Sequence, residues 1–359
     1  MSEKLTRLQR ALADWQLDAV LLTRRDNIAW LTEGASYYVV ERAETGVASL
    51  LVTPHKVLLL APENEMPRIL AEEPLPFACE TQSYPWFQSL NSVLPPGKLG
   101  SDTPLAETID IQQQMIVLRQ GLNSSEQQRF RTLGREAAQI VEDVARQLRA
   151  GVTEWQVEAQ IVAACLACGI RPMCTLVAAD ERIAAFKHPV PTAKIVRHQL
   201  LITLGAERHG LHVSLTRLVH IGEPAPALRQ RLQTLSQIHA DILCATQPGR
   251  SWSAVFNAIQ NAYQQQGQGG AWRDHHQGGP AGYGCRDEIV TSESQGEVRL
   301  NTALAWNPTL SGVKSEDTFL LTSEGCEALT RTANWPLISV RRGASLLHFA
   351  DWLVLPASS

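Results

Sequence analysis

Three stretches of the chain concentrate side chains able to move protons or hold a charged ligand: the surroundings of His188, residues 205–217, and residues 274–288 taken with 307–317. His188 lies in Phe186-Lys187-His188-Pro189-Val190-Pro191-Thr192, and an imidazole is the side chain that exchanges protons near neutral pH. The run Asp274-His275-His276-Gln277-Gly278-Gly279 sets two imidazoles and an amide beside flexible glycines, a composition suited to hydrogen-bonding a small polar ligand. Because they are adjacent, His275 and His276 are expected to face opposite ways on an extended chain, so that at most one reaches a pocket. Arg286 could bind a substrate carboxylate or pair with neighbouring Asp287 or Glu288, and Glu316 and Asp317 could pair with Lys314 at the surface. Ser214 and His212 share a face under period-two alternation, but no third group is evident to orient them as nucleophile and base.

The chain has 359 residues, of which 44% are hydrophobic and 19% charged, enough for two domains each with its own core. With 32 Lys plus Arg against 36 Asp plus Glu, the formal net charge of −4 gives no electrostatic reason for a nucleic-acid or anionic-membrane partner. No apolar signal core follows Met1, and no run approaches the roughly 18 apolar residues of a membrane span. A cytoplasmic protein is the expectation. The seven cysteines are an odd number and sit mostly among apolar residues (Cys79, Cys165, Cys168, Cys174, Cys244), which favours reduced packing over a disulfide framework. The CxxC spacing of Cys165 and Cys168 falls in an apolar helical stretch and reads as buried packing.

Leu5, Leu8, Leu12 and Trp15 recur at helical spacing, followed by a strand over 19–22, a second helix that Asn27 could cap, and strands over 46–52 and 57–60. A small α/β domain therefore runs to about residue 118. The polar break at 119–125 places the boundary between a domain over 1–120 and one over 121–359. There Phe130, Leu133, Ala137, Ile140, Val141, Val144 and Leu148 share the face of a helix expected to stop at Gly151, and Thr153-x-x-Gln156 opens the next as a capping box. A further helix runs from Pro226 past Ile242 until Pro248-Gly249 ends it. Strand candidates at 200–203, 215–221, 303–306 and 317–322 make this half α+β, with helices backing an antiparallel sheet; residues 264–270 read as a loop.

Together the polar stretches resemble the creatinase and aminopeptidase P branch of the pita-bread peptidases, over nearly the whole chain. Leu215-Thr216-Arg217, Gly278-Gly279-Pro280-Ala281-Gly282, Asn307-Pro308-Thr309 and Lys314-Ser315-Glu316-Asp317-Thr318 carry the likeness. It implies an α/β N-terminal creatinase-type domain and an α+β C-terminal pita-bread domain. Active members hold two metal ions on two aspartates, a histidine and two glutamates. Matched position by position, those ligands become Thr203, Ser214, Gly279, Asn307 and Glu316, of which only Glu316 is retained, and the next family histidine falls on Arg286. The resemblance thus implies a site without metal or other cofactor.

In creatinase, itself metal-free, the residue matching His188 acts as acid and base on a guanidino C–N bond, and the one matching Glu316 grips the guanidinium. Its second gripping glutamate falls near Thr216 here, which argues against creatine as substrate. The expectation is a metal-independent hydrolase of a C–N bond in a small polar substrate of guanidino, amide or dipeptide-like type. His188 and Glu316 would be catalytic, with His275, His276, Asn307, Arg217 and Arg286 at the substrate, although Arg217 has a structural reading too. Two alternatives stay open: a catalytically silent pita-bread binding protein and an Xaa-Pro metallopeptidase. The family further implies a homodimer.

Overall fold

The computed structural model describes residues 2–357. It divides into two compact units, one of residues through Gln120 with His209–Leu211, the other of Gly121–Arg208 with the chain from His212 onward.

In the first unit, α1 (Glu3–Asp14) buries Leu5, Leu8 and Leu12 along one face. It is followed by β1 (Ala19–Arg24), α2 (Arg25–Thr32), β2 (Thr45–Val52), β3 (Val57–Pro62), α3 (Met66–Glu72), β4 (Glu80–Tyr84), β5 (Leu99–Ser101), β6 (Thr108–Asp110) and α4 (Gln112–Leu118). The six strands form one mixed sheet in the order β4-β3-β2-β1-β5-β6. Its central strands bury Val20, Leu21, Leu22, Leu50, Leu51 and Leu60, each such side chain contributing about 1.5–3 kcal/mol relative to exposure. The second helix starts earlier than expected and Asn27 does not cap it. Arg24 precedes the helix, while the Asn27 amide donates to Asp102 Oδ2 at 2.9 Å and its carbonyl oxygen accepts from Arg119 Nη1 at 2.8 Å.

The second unit opens with α5 (Ser124–Gln147), where Asn123 and Glu126 bond each other's backbone N–H in a capping box. The helix ends at Gln147, four residues short of the expected stop. Thr153 and Gln156 form the anticipated box at the start of α6 (Glu154–Ala167). Next come β7 (Arg171–Ala179), α7 (Arg182–Ala185), β8 (Gln199–Arg208), β9 (Leu211–Ile221), α8 (Pro226–Ala245) and α9 (Trp252–Gln265). After a 3₁₀ turn at Ala271–Asp274 come the strands β10 (Gly278–Ala281), β11 (Thr302–Trp306), β12 (Thr309–Leu310), β13 (Val313–Lys314), β14 (Asp317–Thr322), β15 (Gly325–Ala328), β16 (Leu337–Arg342), β17 (Ser345–Ala350) and β18 (Leu353–Leu355). Two four-stranded sheets result, β18-β9-β8-β7 and the antiparallel β10-β11-β14-β15.

Leu232, Leu235, Ile238 and Ile242 of α8 and Val255, Ile259 and Tyr263 of α9 join Leu304, Trp306, Phe319 and Leu321 in one core. The two sheets are linked directly: Thr318 Oγ1 accepts from the Ser214 amide at 2.7 Å and donates to the Ser214 carbonyl at 3.0 Å, and the Thr216 amide donates to the Glu316 carbonyl at 3.0 Å. All seven cysteines are free, but only Cys165 is buried while Cys168, Cys244 and Cys285 are exposed. The expected packing of the CxxC pair therefore holds for one member, because Cys168 lies past the last turn of α6.

Candidate active site

Glu316, between β13 and β14, is the hub of the site. Its Oε2 accepts hydrogen bonds from Thr216 Oγ1 at 2.6 Å and Lys314 Nζ at 2.8 Å, and its Oε1 from Arg286 Nη2 at 2.9 Å. Both oxygens are thus committed to protein cations. Burial alone would raise the Glu316 carboxyl, but Lys314 and Arg286 outweigh it and hold the group down at about 2. The Thr216 proton goes to Glu316, so the 2.7 Å contact with Thr203 makes Thr203 the donor to Thr216. Arg286 Nη1 reaches Ser214 Oγ at 3.0 Å.

These contacts correct two expectations. Lys314 and Glu316 form a buried pair, not a surface one, with side chains 7% and 3% exposed, because residues two apart point to one side of extended chain. Arg286 pairs with Glu316 and with neither acid beside it. Glu316 consequently spends its charge on two protein cations before any substrate arrives. Arg217, also expected near substrate, is 2% exposed and structural: it bonds Asp317 Oδ1 at 2.9 Å, the Thr216 carbonyl at 2.8 Å and the Thr330 carbonyl. Ser214 bonds Arg286, which gives no support to a serine nucleophile.

A cluster of imidazoles lies in the same unit. His275 Nε2 is 3.0 Å from His188 Nε2, and the His275 and His276 rings stack at 4.2 Å between centroids. Both histidines therefore approach His188, with centroids at 4.7 and 5.8 Å, contrary to the expectation that only one would. His275 Nδ1 donates to the His276 carbonyl at a bend in the chain. Gln277 braces that bend: its amide donates to the carbonyls of Trp272 and His275 at 3.1 and 2.6 Å, and its Oε1 accepts from Tyr263 of α9 at 2.8 Å. Gly278 follows at φ +97°, with a Cβ there only 2.0 Å from the Ala305 carbonyl oxygen, so no side chain fits between Gln277 and β11.

Burial and nearby Lys314 depress all three imidazoles: His188 falls below its ordinary 6.5, His275 to about 3 and His276 to about 4, Arg286 adding to the last. Each is neutral at pH 7. With Nδ1–H of neutral His275 given to a carbonyl, its Nε2 is an acceptor and His188 Nε2–H the donor. The His188 Nδ1 lone pair is left for chemistry; this tautomer follows from the bonding pattern. Three polar atoms nearby are buried without a partner: Arg286 Nε, Asn307 Oδ1 and His276 Nδ1. Asn307 is held by its backbone, whose amide donates to the Gln277 carbonyl at 2.9 Å.

Residues 128–323 match the model of metallopeptidase family M24, more than half of the chain. The chain belongs to this family. Residues 4–115 match the creatinase/prolidase N-terminal domain, so the M24 protein pairs a creatinase-type N-terminal domain with a pita-bread C-terminal one. None of the curated proteins matches it. Its fold is similar to that of a prolidase from Pyrococcus horikoshii OT3, at TM-score 0.79 and 19% identity over 92% of this chain and 99% of that one. An Xaa-Pro dipeptidase from Bacillus anthracis gives 0.77 and 17% over 98% and 99%. The N-terminal domain of the FACT complex subunit SPT16 from Cicer arietinum gives 0.66 and 11% over 91% and 96%.

The metal pair implied by this family does not fit the M24 chain. The matched positions offer two hydroxyls (Thr203, Ser214), one amide (Asn307) and one carboxylate already paired with two cations, where hard divalent ions need several anionic oxygens. Gly279 cannot be a missing histidine: a Cβ there would stand 2.3 Å from the Glu288 carbonyl oxygen. Lys314, which the sequence presented only as a surface partner, carries one of the two positive charges that occupy this carboxylate.

Buried histidine also makes the fold sensitive to acid. His239 of α8 is fully buried, bonded through Nδ1 to Ser315 Oγ at 2.8 Å and flanked by Phe319 and Phe349; burial pushes it down to about 3. The unfolded chain protonates this group near 6.5 and the folded chain does not. Stability is therefore full above pH 6.5 and falls as the pH drops toward 3. Urea midpoints measured between pH 7 and 4 should decline, and His239→Leu should flatten that slope by about 1 kcal/mol per pH unit.

Proposed function

We propose that this M24 member hydrolyses a carbon–nitrogen bond in a small, carboxylate-bearing substrate of dipeptide, amide or guanidino-acid type, using His188 for proton transfer and no metal pair. The observation that carries the reading is the bond from His188 to His275, which leaves one neutral imidazole with a defined free lone pair. His188 Nδ1 would take a proton from water as the water oxygen adds to the substrate carbon. The same proton would go to the leaving nitrogen as the C–N bond breaks, so that one water is consumed and the imidazole ends neutral. Arg286 Nε–H would meet the substrate carboxylate or the oxygen on which charge develops, and Asn307 Oδ1 would accept a substrate N–H. Lys314 and Arg286 against Glu316 leave one net positive charge, which favours an anionic substrate over a cationic one. The likeness to proteins named prolidase and dipeptidase makes dipeptides the first class to try.

We further read the protein as a cytoplasmic homodimer acting on a small molecule or short peptide, without a nucleic-acid partner. No described helix is long and apolar enough to cross a membrane. The test uses chelator-treated full-length protein screened against Xaa-Pro dipeptides, N-acyl amino acids and guanidino acids. One class should raise the melting temperature, since a ligand of the folded state stabilises it, and should be turned over with chelator still present. Turnover that appears only on adding two manganese or cobalt ions per chain would overturn the reading. Binding without turnover would leave a silent binding protein.

A further inference from the structure

We propose that His188, His275 and His276 form a binding site for one divalent transition-metal ion of the zinc or cobalt type, separate from the positions of the family's metal pair. The nitrogen atoms these residues offer all lie within 4.8 Å of one another. Tetrahedral zinc with nitrogens at about 2.0–2.1 Å requires nitrogen separations of about 3.3 Å. His188 and His275 already stand at 3.0 Å; closing the third side requires rotation of His276, whose Nδ1 is buried without a partner. The His275 Nδ1 donates to the His276 carbonyl, the kind of outer bond that orients a ligating imidazole through its other nitrogen.

Donor chemistry selects the ion. Three imidazoles without a carboxylate suit zinc, cobalt, nickel or copper and not magnesium or calcium. The imidazoles are neutral at pH 7, so binding releases no net proton: His188 carries its hydrogen on Nδ1 in place of Nε2 when Nε2 takes the ion. Lys314 and Arg286 oppose a further positive centre nearby, and Glu316 offsets one of their two charges. The ion should therefore bind together with an anion, hydroxide or carboxylate, in its fourth position. One consequence rests on the proposed function: an ion on the Nε2 atoms of His188 and His275 replaces the hydrogen bond between them, so it should inhibit hydrolysis.

The test is calorimetric titration of the chelator-stripped full chain with zinc chloride, paralleled by cobalt chloride and visible absorption. One ion per chain should bind, with the intense cobalt bands of a tetrahedral site. His276→Ala should weaken it on the order of 100-fold, and so should His188→Ala, a change in an exposed loop that leaves folding intact. Cys285→Ser should leave affinity unchanged and Lys314→Met should increase it. No binding, binding indifferent to both histidine variants, or two ions per chain would overturn the site. Because binding is read without turnover, failure here leaves the hydrolase reading standing, and failure of that reading leaves the site.

Discussion

Replacing Glu316 with glutamine is expected to lower the unfolding free energy of the C-terminal unit by about 3–5 kcal/mol, the cost of breaking a buried ion pair from one side. Glutamine keeps the shape and can still accept from Thr216, but it leaves Lys314 and Arg286, side chains 7% and 10% exposed, without their shared counter-charge. Removing one cation as well should restore part of the loss, so Glu316→Gln with Lys314→Met is expected to be more stable than Glu316→Gln alone. The wild-type contribution has a defined pH window. A carboxyl held at about 2 when folded, against an ordinary 4.5, gives stability that is complete above 4.5 and lost as the pH falls toward 2. The chain has two units, so a single melting curve mixes them. Hydrogen exchange of the Thr216 amide, which ties β9 to the Glu316 carbonyl, and of the Thr318 amide, which ties β14 to Thr330 Oγ1, reads the relevant one. Exchange at those amides no faster in Glu316→Gln than in the wild type would mean that the two cations are compensated elsewhere.

The scaffold was legible where local chemistry repeats. Helical spacing marked α1 and α5, the Thr153-x-x-Gln156 box marked the start of α6, and apolar runs marked β2, β3, β11 and β14. The helix α9 was not anticipated, although Ser251 ahead of Trp252, Val255, Phe256, Ile259 and Tyr263 carries both a cap and a core face. Strands β16 and β17 escaped because their half-exposed, mixed sequences lack alternation, and β18 because it is only three residues long.

The site was legible in part. Matching the family's ligand positions brought together Thr203, Ser214, Asn307 and Glu316 as residues to watch, but what fills the vacated charge was not readable. Arg286 and Glu316 are 30 residues apart in sequence, and their pairing depends on how β10 and β14 flank β11. The Lys314 pairing was legible, since a lysine two residues before a carboxylate on extended chain shares its face, but its burial was not. The histidine cluster defeated the period-two argument because that argument assumes a regular strand. The chain instead bends at His275, where the Gln277 amide bonds the Trp272 and His275 carbonyls.

His188→Ala should separate the catalytic reading from a merely structural one. His188 is exposed and its ring bonds only His275 among the hydrogen bonds of the described structure, so the variant should melt within a degree or two of wild type. Loss of a positioned acid–base group nevertheless costs on the order of 10²–10⁴-fold in turnover, with KM little changed because Arg286 and Asn307 still hold the substrate. Added imidazole should restore part of the rate, which a structural defect would not allow. His275→Ala should give a smaller loss in kcat: it removes the acceptor that fixes the His188 tautomer, not the base itself. The pH profile supplies an independent check. The base works deprotonated, and burial with Lys314 holds His188 below its ordinary 6.5. Activity should therefore persist below pH 6.5 and fall only on further acidification. In Lys314→Met that acid limb should shift upward, because the cation that disfavours the imidazolium is gone. A limb unmoved by Lys314→Met, or wild-type turnover in His188→Ala, would place the proton transfer on another group.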